Sequence, residues 1–335
     1  MTNKERVIAA IRFQEKDFCP YNVQFTSQCR ENFLNYTKAH GIPSQINNHI
    51  TLVDLNLPLV ELPDKKEYFR DEYGVVWNRT GVDKDIGVVE DLLISDEEDL
   101  EAYEFPPVEE AYIRERMEWL QASDPSKFRV ACIGYSMFER AWSLMGMEDL
   151  LCNMIVEPEL VHALLRKICD RNLKTIDIAL EYDFDCFHFG DDWGQQKGMI
   201  MGPDHWREFI KPYVSEMYDR VRKAGKFVSQ HSCGDIREVM DDVIDMGLNI
   251  YQTFQPEIYG LDYAEKLYGR LAIWGGISVQ ADLPYKTPEE IREITKNTLQ
   301  AFQKGGLIAS PTHAVPPDVP PENLLAMLDV FTHQP

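Results

Sequence analysis

From residue 128 onwards the chain alternates short apolar runs with longer charged stretches, and this alternation restricts the possible folds more than any other feature. The runs are rich in β-forming residues, and polar or small residues follow each of them. They occupy residues 128–133, 186–189, 226–230, 249–253, 271–274 and 306–309. Strands that alternate with helices predict a parallel sheet.

The segments between the runs have the pattern of helices, as at residues 203–224, 235–246 and 287–304. Residues 19–25 predict another strand near the start, and residues 73–77 predict a strand or a hairpin insertion. Seven or eight strands without a dividing linker favour one domain over residues 1–335. We therefore expect a closed (β/α)8 TIM barrel with N-terminal helical and hairpin additions. A doubly wound sheet is disfavoured because no glycine-rich dinucleotide motif follows the first strand.

Composition limits the partners and the compartment. With 34 basic and 56 acidic residues the net charge is −22, which disfavours nucleic acids and anionic membrane surfaces as partners. The N-terminus has the pattern of an amphipathic helix rather than a signal peptide, and no run approaches the roughly 18 apolar residues of a membrane span. The seven cysteines are irregularly spaced and are expected to be reduced thiols. These features predict a cytoplasmic protein of enzyme size.

Side chains that can bind metals or transfer protons follow the apolar runs. In a barrel these positions are the carboxyl ends of the strands, where active sites lie. His231 and Cys233 lie two positions apart just after a strand, so both side chains can point to the same side. His313 follows the last predicted strand. Imidazole and thiolate suit zinc, and three protein ligands with one open position are typical of a catalytic zinc site. The alternative is a packed thiol beside a hydrogen-bonded imidazole.

Further polar and aromatic residues at the strand ends are candidates for substrate binding. Asp192 is predicted to act in catalysis or to line the pocket, and Asp191 is predicted to contact substrate, with helix capping as the alternative for either residue. Two tryptophans are predicted walls for an aromatic substrate, with ordinary packing as their alternative. The predicted substrate-binding set is Asp191, Trp193, Gln255, Glu257 and Trp274.

Several segments resemble the uroporphyrinogen decarboxylase superfamily, which has a (β/α)8 barrel. The resemblance covers essentially the whole chain and is most specific in HSCGDIREVMDDVIDMGLN, WGGISVQADLPYKTPEEIRE and SPTHAVPPDVPPENLLAM. Decarboxylases of this superfamily grip substrate carboxylates with an Arg-Gln-Ala-Gly-Arg motif after the first strand. Here residues 24–30 read Gln-Phe-Thr-Ser-Gln-Cys-Arg, with one arginine. This departure argues against decarboxylation of a porphyrinogen.

The second branch of the superfamily contains cobalamin-dependent methyltransferases, which carry His-x-Cys after the same strand and bind zinc. Their third ligand is a cysteine, where this chain has His313. The resemblance implies a methyltransferase (O-demethylase type) that moves a methyl group from a methoxylated, possibly aromatic, or methylated small molecule. The acceptor would be the cobalt of cobalamin, a corrinoid, carried by a partner protein. The alternatives are a decarboxylase of a small carboxylic acid and a non-catalytic barrel that serves as a scaffold or binding subunit.

Overall fold

The computed structural model of the chain describes residues 1–41, 46–81 and 87–334. The strands are β1 Ile50–Asp54, β2 Val60–Leu62, β3 Lys65–Arg70, β4 Val76–Asn78, β5 Val88–Val89, β6 Phe128–Ile133, β7 Cys186–Gly190, β8 Gly194–Gln195, β9 Gly198–Met199, β10 Phe227–His231, β11 Ile250–Phe254, β12 Ala272–Ile277 and β13 Leu307–Pro311.

The α-helices connect the strands, and most of them pack on the outside of the sheet. They are α1 Asn3–Ile11, α2 Ser27–Thr37, α3 Glu97–Ala102, α4 Glu110–Ala122, α5 Phe138–Met145, α6 Met147–Val156, α7 Pro158–Ala179, α8 Gly202–His205, α9 Lys211–Lys223, α10 Met240–Asp245, α11 Pro256–Tyr259, α12 Tyr263–Leu267, α13 Pro288–Ala301 and α14 Pro321–Thr332. A π-helical turn, Trp206–Ile210, joins α8 to α9, and a 3-10 turn, Arg237–Val239, precedes α10.

Seven strands form one curled parallel sheet in the order β1-β6-β7-β10-β11-β12-β13. Spatial order follows chain order, so each strand lies beside the one before it in the sheet. Because all pairings are parallel, the carboxyl ends of the strands share one edge. The six runs predicted from residue 128 onwards are confirmed as strands within a few residues. β1 has no counterpart among the strands predicted from the sequence.

The predicted strand at residues 19–25 is not a regular strand. Tyr21 forms an isolated parallel bridge to β13, and its carbonyl accepts a hydrogen bond of 3.0 Å from the amide of His49, just before β1. The backbone of Val23 instead bonds to the side chain of Asn48, with both distances 2.9 Å. The side-chain amide of Asn48 therefore bonds where the backbone of a neighbouring strand would. Residues 19–25 do not form an eighth regular strand, so the predicted closed barrel of eight strands is not confirmed.

The predicted hairpin insertion is a four-stranded antiparallel sheet, β2-β3-β4-β5. Two buried ion pairs join the turn between β3 and β4 to the helices: Asp71 contacts Arg140 of α5 at 2.5 Å, and Glu72 contacts Arg171 of α7. Buried pairs of this kind fix orientation more than they add net stability. They hold the insertion, including Trp77, against the helices next to the carboxyl edge.

Apolar side chains fill both faces of the curled sheet. The inner face holds a cluster that includes Ile50, Phe128, Val130, Cys186, Ile250, Ala272, Trp274 and Ile308. Alternate strand residues point inward, and the outer face packs on the helices in a second, larger cluster. All seven cysteines are unpaired, as predicted. Within the described ranges no helix has both the length and the apolar character needed to cross a membrane.

Candidate metal centre

His231 is the last residue of β10, and its ring is held by the neighbouring strand. Gln252 of β11 stands opposite it in the strand register, and the Gln252 side-chain oxygen accepts the Nδ1–H of His231. This bond assigns a proton to Nδ1. Nε2 faces the mouth, the space at the carboxyl ends of the strands, where it donates to Asp192 when the ring is protonated and is a potential metal ligand when it is not. His231 Nε2 lies 3.5 Å from the Sγ of Cys233 and 3.2 Å from Oδ1 of Asp192.

Cys233 is positioned by the tight turn that follows β10. Its backbone N–H donates to Oδ1 of Asp192 at 2.7 Å, and the N–H of Gly234 donates to the Gln255 side chain at 2.7 Å. Gly234 has φ of +77°, and a Cβ atom there would lie 2.3 Å from the backbone carbon of Gly194. The close approach therefore requires glycine, and it determines where Cys233 points.

His313 completes a group of three potential metal ligands. It follows β13, is exposed, and its ring centroid lies 5.7 Å from that of His231. One ligand atom from each of His231, Cys233 and His313 lies within 4.8 Å of the others. The three predicted metal-binding residues thus meet at the carboxyl edge of the sheet. Along the chain, His313 is 82 positions after His231 (313 − 231).

The carboxyl groups of Asp192 and Glu139 lie beside these three residues, and their surroundings shift their pKa values in opposite directions. Partial burial raises the pKa of Asp192, but the hydrogen bonds from His231 and from the Cys233 amide outweigh it and hold the pKa below its ordinary value. Burial and the nearby charges of Asp192 and Asp191 raise the pKa of Glu139 well above its ordinary range. Its surroundings therefore favour the protonated form of Glu139, whereas the hydrogen bonds to Asp192 favour the ionised form of that residue.

Asp191 and Trp193, both predicted to bind substrate, are fully buried. The Asp191 carboxylate accepts the backbone N–H groups of residues 137–139, at 3.2, 3.0 and 2.8 Å, and the indole N–H of Trp193 at 2.6 Å. These bonds start α5, which matches the capping alternative. The Trp193 ring packs at 5.2 Å from that of Trp206, which matches ordinary packing.

The other three predicted substrate residues differ in their access to the mouth. Trp274 belongs to the inner cluster of the sheet, 3% exposed, with its ring 5.6 Å from that of His188. The buried Gln255 supports the turn at Gly234. Glu257 is exposed and accepts a hydrogen bond of 2.9 Å from the Ser278 hydroxyl.

Aromatic side chains do line a cavity at this edge, but they are not the predicted ones. The cavity, of about 460 Å³, lies at the ends of β1 and β6 beneath the insertion. Trp77 and Tyr135 form part of its wall, with ring centroids 5.5 Å apart. Tyr135 directly follows β6 and Gly134, so the same strand-end rule that found His231 would have found it. A larger cavity of about 750 Å³ between α13 and α14 contains none of these residues.

Comparison with known proteins identifies the family. The chain matches the model of uroporphyrinogen decarboxylase (URO-D) over residues 80–333. The uroporphyrinogen decarboxylase of Chlorobaculum tepidum is 24% identical over 184 residues, covering 52% of this chain and 50% of the relative. That of Chlorobaculum parvum is 26% identical over 219 residues, covering 60% and 59%. The chain thus spans about half the length of these curated relatives.

The fold is also found among solved structures. A methyltransferase from Methanosarcina mazei superposes with a TM-score of 0.69 at 16% identity, covering 99% of this chain and 98% of that one. At this identity the similarity concerns the fold. The match to the family model extends over most of the chain. The chain therefore belongs to the uroporphyrinogen decarboxylase family.

Proposed function

We propose that the protein is a zinc-dependent methyltransferase that moves a methyl group from a methoxylated or methylated small molecule to the cobalt of a corrinoid on a partner protein. The observation that carries the proposal is the meeting of His231, Cys233 and His313, with ligand atoms within 4.8 Å of one another. The group stands at the carboxyl edge of the sheet, where enzymes with parallel curled sheets carry their sites.

The donor set fits zinc. Zinc takes thiolate and imidazole ligands in tetrahedral sites, and the 3.5 Å between His231 Nε2 and Cys233 Sγ suits two ligands of one ion. The hydrogen bond from His231 Nδ1 to Gln252 leaves the correct nitrogen for the metal. Three protein ligands would leave one position for substrate. When bound, zinc would supply Lewis acidity that stabilises negative charge on an ether or phenol oxygen.

The ligand set also bears on the kind of reaction. The family resemblance implies His-Cys-Cys in methyltransferases, and His313 in place of the second cysteine removes one negative charge. A less negative site makes the metal a stronger Lewis acid, which suits the activation of an oxygen leaving group better than the activation of a thiol. Asp192, ionised beside His231, keeps the turn at Cys233 in place through its bond to the Cys233 amide.

Charge disfavours the decarboxylase alternative for a substrate with many carboxylates. The chain has a net charge of −22, and Arg30, the single arginine of residues 24–30, is exposed on α2. The exposed position of His313 leaves the mouth accessible to a partner protein that carries the corrinoid. The methyltransferase named among the similar structures shares the fold that this proposal requires.

The test measures zinc and methyl transfer separately. We expect about one zinc per chain in the wild type and its loss in His231→Ala, Cys233→Ala and His313→Ala. His333→Ala and Cys152→Ala, which change exposed residues elsewhere, serve as controls. Zinc-loaded protein should then demethylate a methoxyarene with cob(I)alamin as acceptor, and zinc removal should abolish the reaction.

Other outcomes would overturn this proposal. A protein that takes up no zinc on reconstitution would favour the decarboxylase or scaffold alternatives. Retention of zinc in His313→Ala would show that the third family ligand has not been replaced by this histidine. Demethylation that persists after the metal is removed would contradict the Lewis-acid role.

A further inference from the structure

The cavity beneath the insertion combines aromatic walls with an acidic group. Trp77, Tyr112 and Tyr135 line it together with Asp54, the last residue of β1. Its volume of about 460 Å³ lies in the range of pockets for small organic ligands. We infer that this cavity receives the methyl donor, and that the donor is an aromatic ring bearing hydroxyl and methoxyl groups but no carboxylate. The inference rests on the proposed methyl transfer and names its substrate class.

The aromatic walls favour a flat ring as the ligand. Trp77 and Tyr135 meet edge to face, with an angle of 71° between their planes, and a third ring in this arrangement gains further edge and face contacts. Tyr135 adopts φ of +52°, a left-handed conformation that is costly for a residue with a side chain. Such strain concentrates at ligand sites, where the surrounding packing maintains it.

The charges around the cavity disfavour a carboxylate on that ring. Of the arginines at the wall, Arg140 is already paired with Asp71 at 2.5 Å. The guanidinium of Arg79 lies over the ring of Phe69, at 5.1 Å from its centroid.

Asp54, an acid at the cavity wall, also disfavours a carboxylate on the bound ring. Asp54 is solvent-accessible at the wall, and a benzoate bound there would meet its charge. A phenolic hydroxyl would instead donate to the Asp54 carboxylate, which is an acceptor when ionised.

The cavity lies beside the strand end that leads to the candidate metal centre. Ser136, directly after Tyr135, donates its backbone N–H to the carbonyl of Gly190 at 2.8 Å, two positions before Asp192. Asp192 in turn lies 3.2 Å from His231 Nε2. A ring packed against Trp77 and Tyr135 would therefore have its substituent beside Tyr135, on the side of the three potential ligands.

The experiment compares two ligands that differ in one carboxylate. Calorimetric titration with 2-methoxyphenol and with 4-hydroxy-3-methoxybenzoate is performed on the zinc-loaded and the chelated protein, without corrinoid. We expect wild-type protein to bind the phenol at least about tenfold more tightly than the benzoate, and Asp54→Asn to reduce that ratio to about threefold or less. Trp77→Leu should weaken phenol binding about fivefold or more.

Matched variants separate the cavity from general effects. Tyr112→Leu changes a partly exposed wall residue and tests the cavity even if Trp77→Leu fails to fold. Trp119→Leu and Asp64→Asn alter exposed residues outside the cavity and should leave both affinities unchanged. Failure to bind the phenol, equal or tighter binding of the benzoate, or equal losses in Trp119→Leu would overturn the inference. Binding that follows the expected pattern without methyl transfer to cob(I)alamin would overturn the proposed function and retain the pocket.

Discussion

His231 donates its Nδ1–H to the side-chain oxygen of Gln252, the residue that faces it across the β10–β11 ladder. A histidine ring rotates freely unless its second nitrogen is held, and metal-binding histidines are usually held in this way. Because Gln252 belongs to β11, which pairs with β10 on one side and β12 on the other, the bond transfers the rigidity of the strands to the ring. The position of Nε2 beside Cys233 thus depends on a residue that would not touch the metal.

Removal of this acceptor is expected to weaken zinc binding without removing a ligand. Gln252→Met keeps the length of the side chain but lacks the oxygen, and we expect zinc affinity to fall about 10- to 100-fold. Gln252→Glu retains an acceptor for Nδ1–H and should keep most of the affinity. Competition with a chromophoric chelator measures both constants. Equal affinities in Gln252→Met and the wild type would contradict a positioning role.

Asp191 is expected to act on stability. Asp191→Ala would leave three backbone N–H groups at the start of α5 and the indole N–H of Trp193 without their acceptor. We expect a loss of about 3–5 kcal/mol in the free energy of unfolding, because the acceptor is buried and charged. Asp96→Ala, which removes one cap bond of 2.9 Å at the exposed α3, should cost only about 1 kcal/mol.

Denaturant unfolding of the two variants gives this comparison. Similar losses of unfolding free energy in Asp191→Ala and Asp96→Ala would show that the buried carboxylate contributes no more to stability than an exposed helix cap. A stable Asp191→Ala protein that had lost only substrate binding would instead support the role predicted from the sequence.

The strands and the ligand triad could be predicted because local patterns determine both. Apolar runs bounded by turn residues indicate buried strands, and parallel strands bring their carboxyl ends together whatever their separation in the chain. This is how His231, Cys233 and His313 were found. β1 was missed because its run, ITLVD, follows the polar residues 47–49 and precedes the insertion rather than a helix.

The direction of individual side chains could not be predicted in the same way. Trp193 and Trp274 stand near strand ends, but one turns to the helices and the other to the inside of the sheet. Glu139 and Gln252 matter through contacts with residues of neighbouring strands, which no spacing along the chain reveals. Trp77 reaches the mouth because ion pairs anchor the insertion, so its place depends on tertiary contacts.

Acid is expected to destabilise the fold through His49. Burial, and then the positive charges of Arg6 and Lys127, lower its pKa to about 4, while Asp17 opposes this. A histidine that protonates less readily when folded contributes stability above its ordinary pKa of about 6.5, and that stability is lost as the pH falls towards 4. Between pH 7 and 5 the loss from this group is about 2 kcal/mol.

Urea unfolding of wild type and His49→Gln at the two pH values measures this loss as a difference. The glutamine keeps a hydrogen-bond acceptor near the Tyr21 amide but does not titrate, so the variant should lose about 2 kcal/mol less on acidification. His333→Gln, at an exposed site, should behave like the wild type. The same pH dependence in His49→Gln and wild type would assign acid sensitivity to other groups.

Gly234 is expected to tolerate substitution less well than any other residue of the candidate centre. Gly234→Ala would place a Cβ atom 2.3 Å from the backbone of Gly194, so one of the two segments must move. Gly225→Ala is a matched control, because Gly225 has φ of +75° against +77° but nothing lies within 4 Å of its Cβ position. The control should cost about 1–2 kcal/mol for the left-handed backbone alone.

Gly234→Ala should cost more, since it adds a steric clash to the same backbone strain. Movement of the turn would also displace Cys233, so we expect zinc affinity to fall at least about tenfold, while Gly225→Ala retains it. Thermal unfolding and chelator competition on both variants provide the measurements. If the two alanines had equal effects on stability and neither changed zinc affinity, the packing of Gly234 against Gly194 would not be what positions the thiolate.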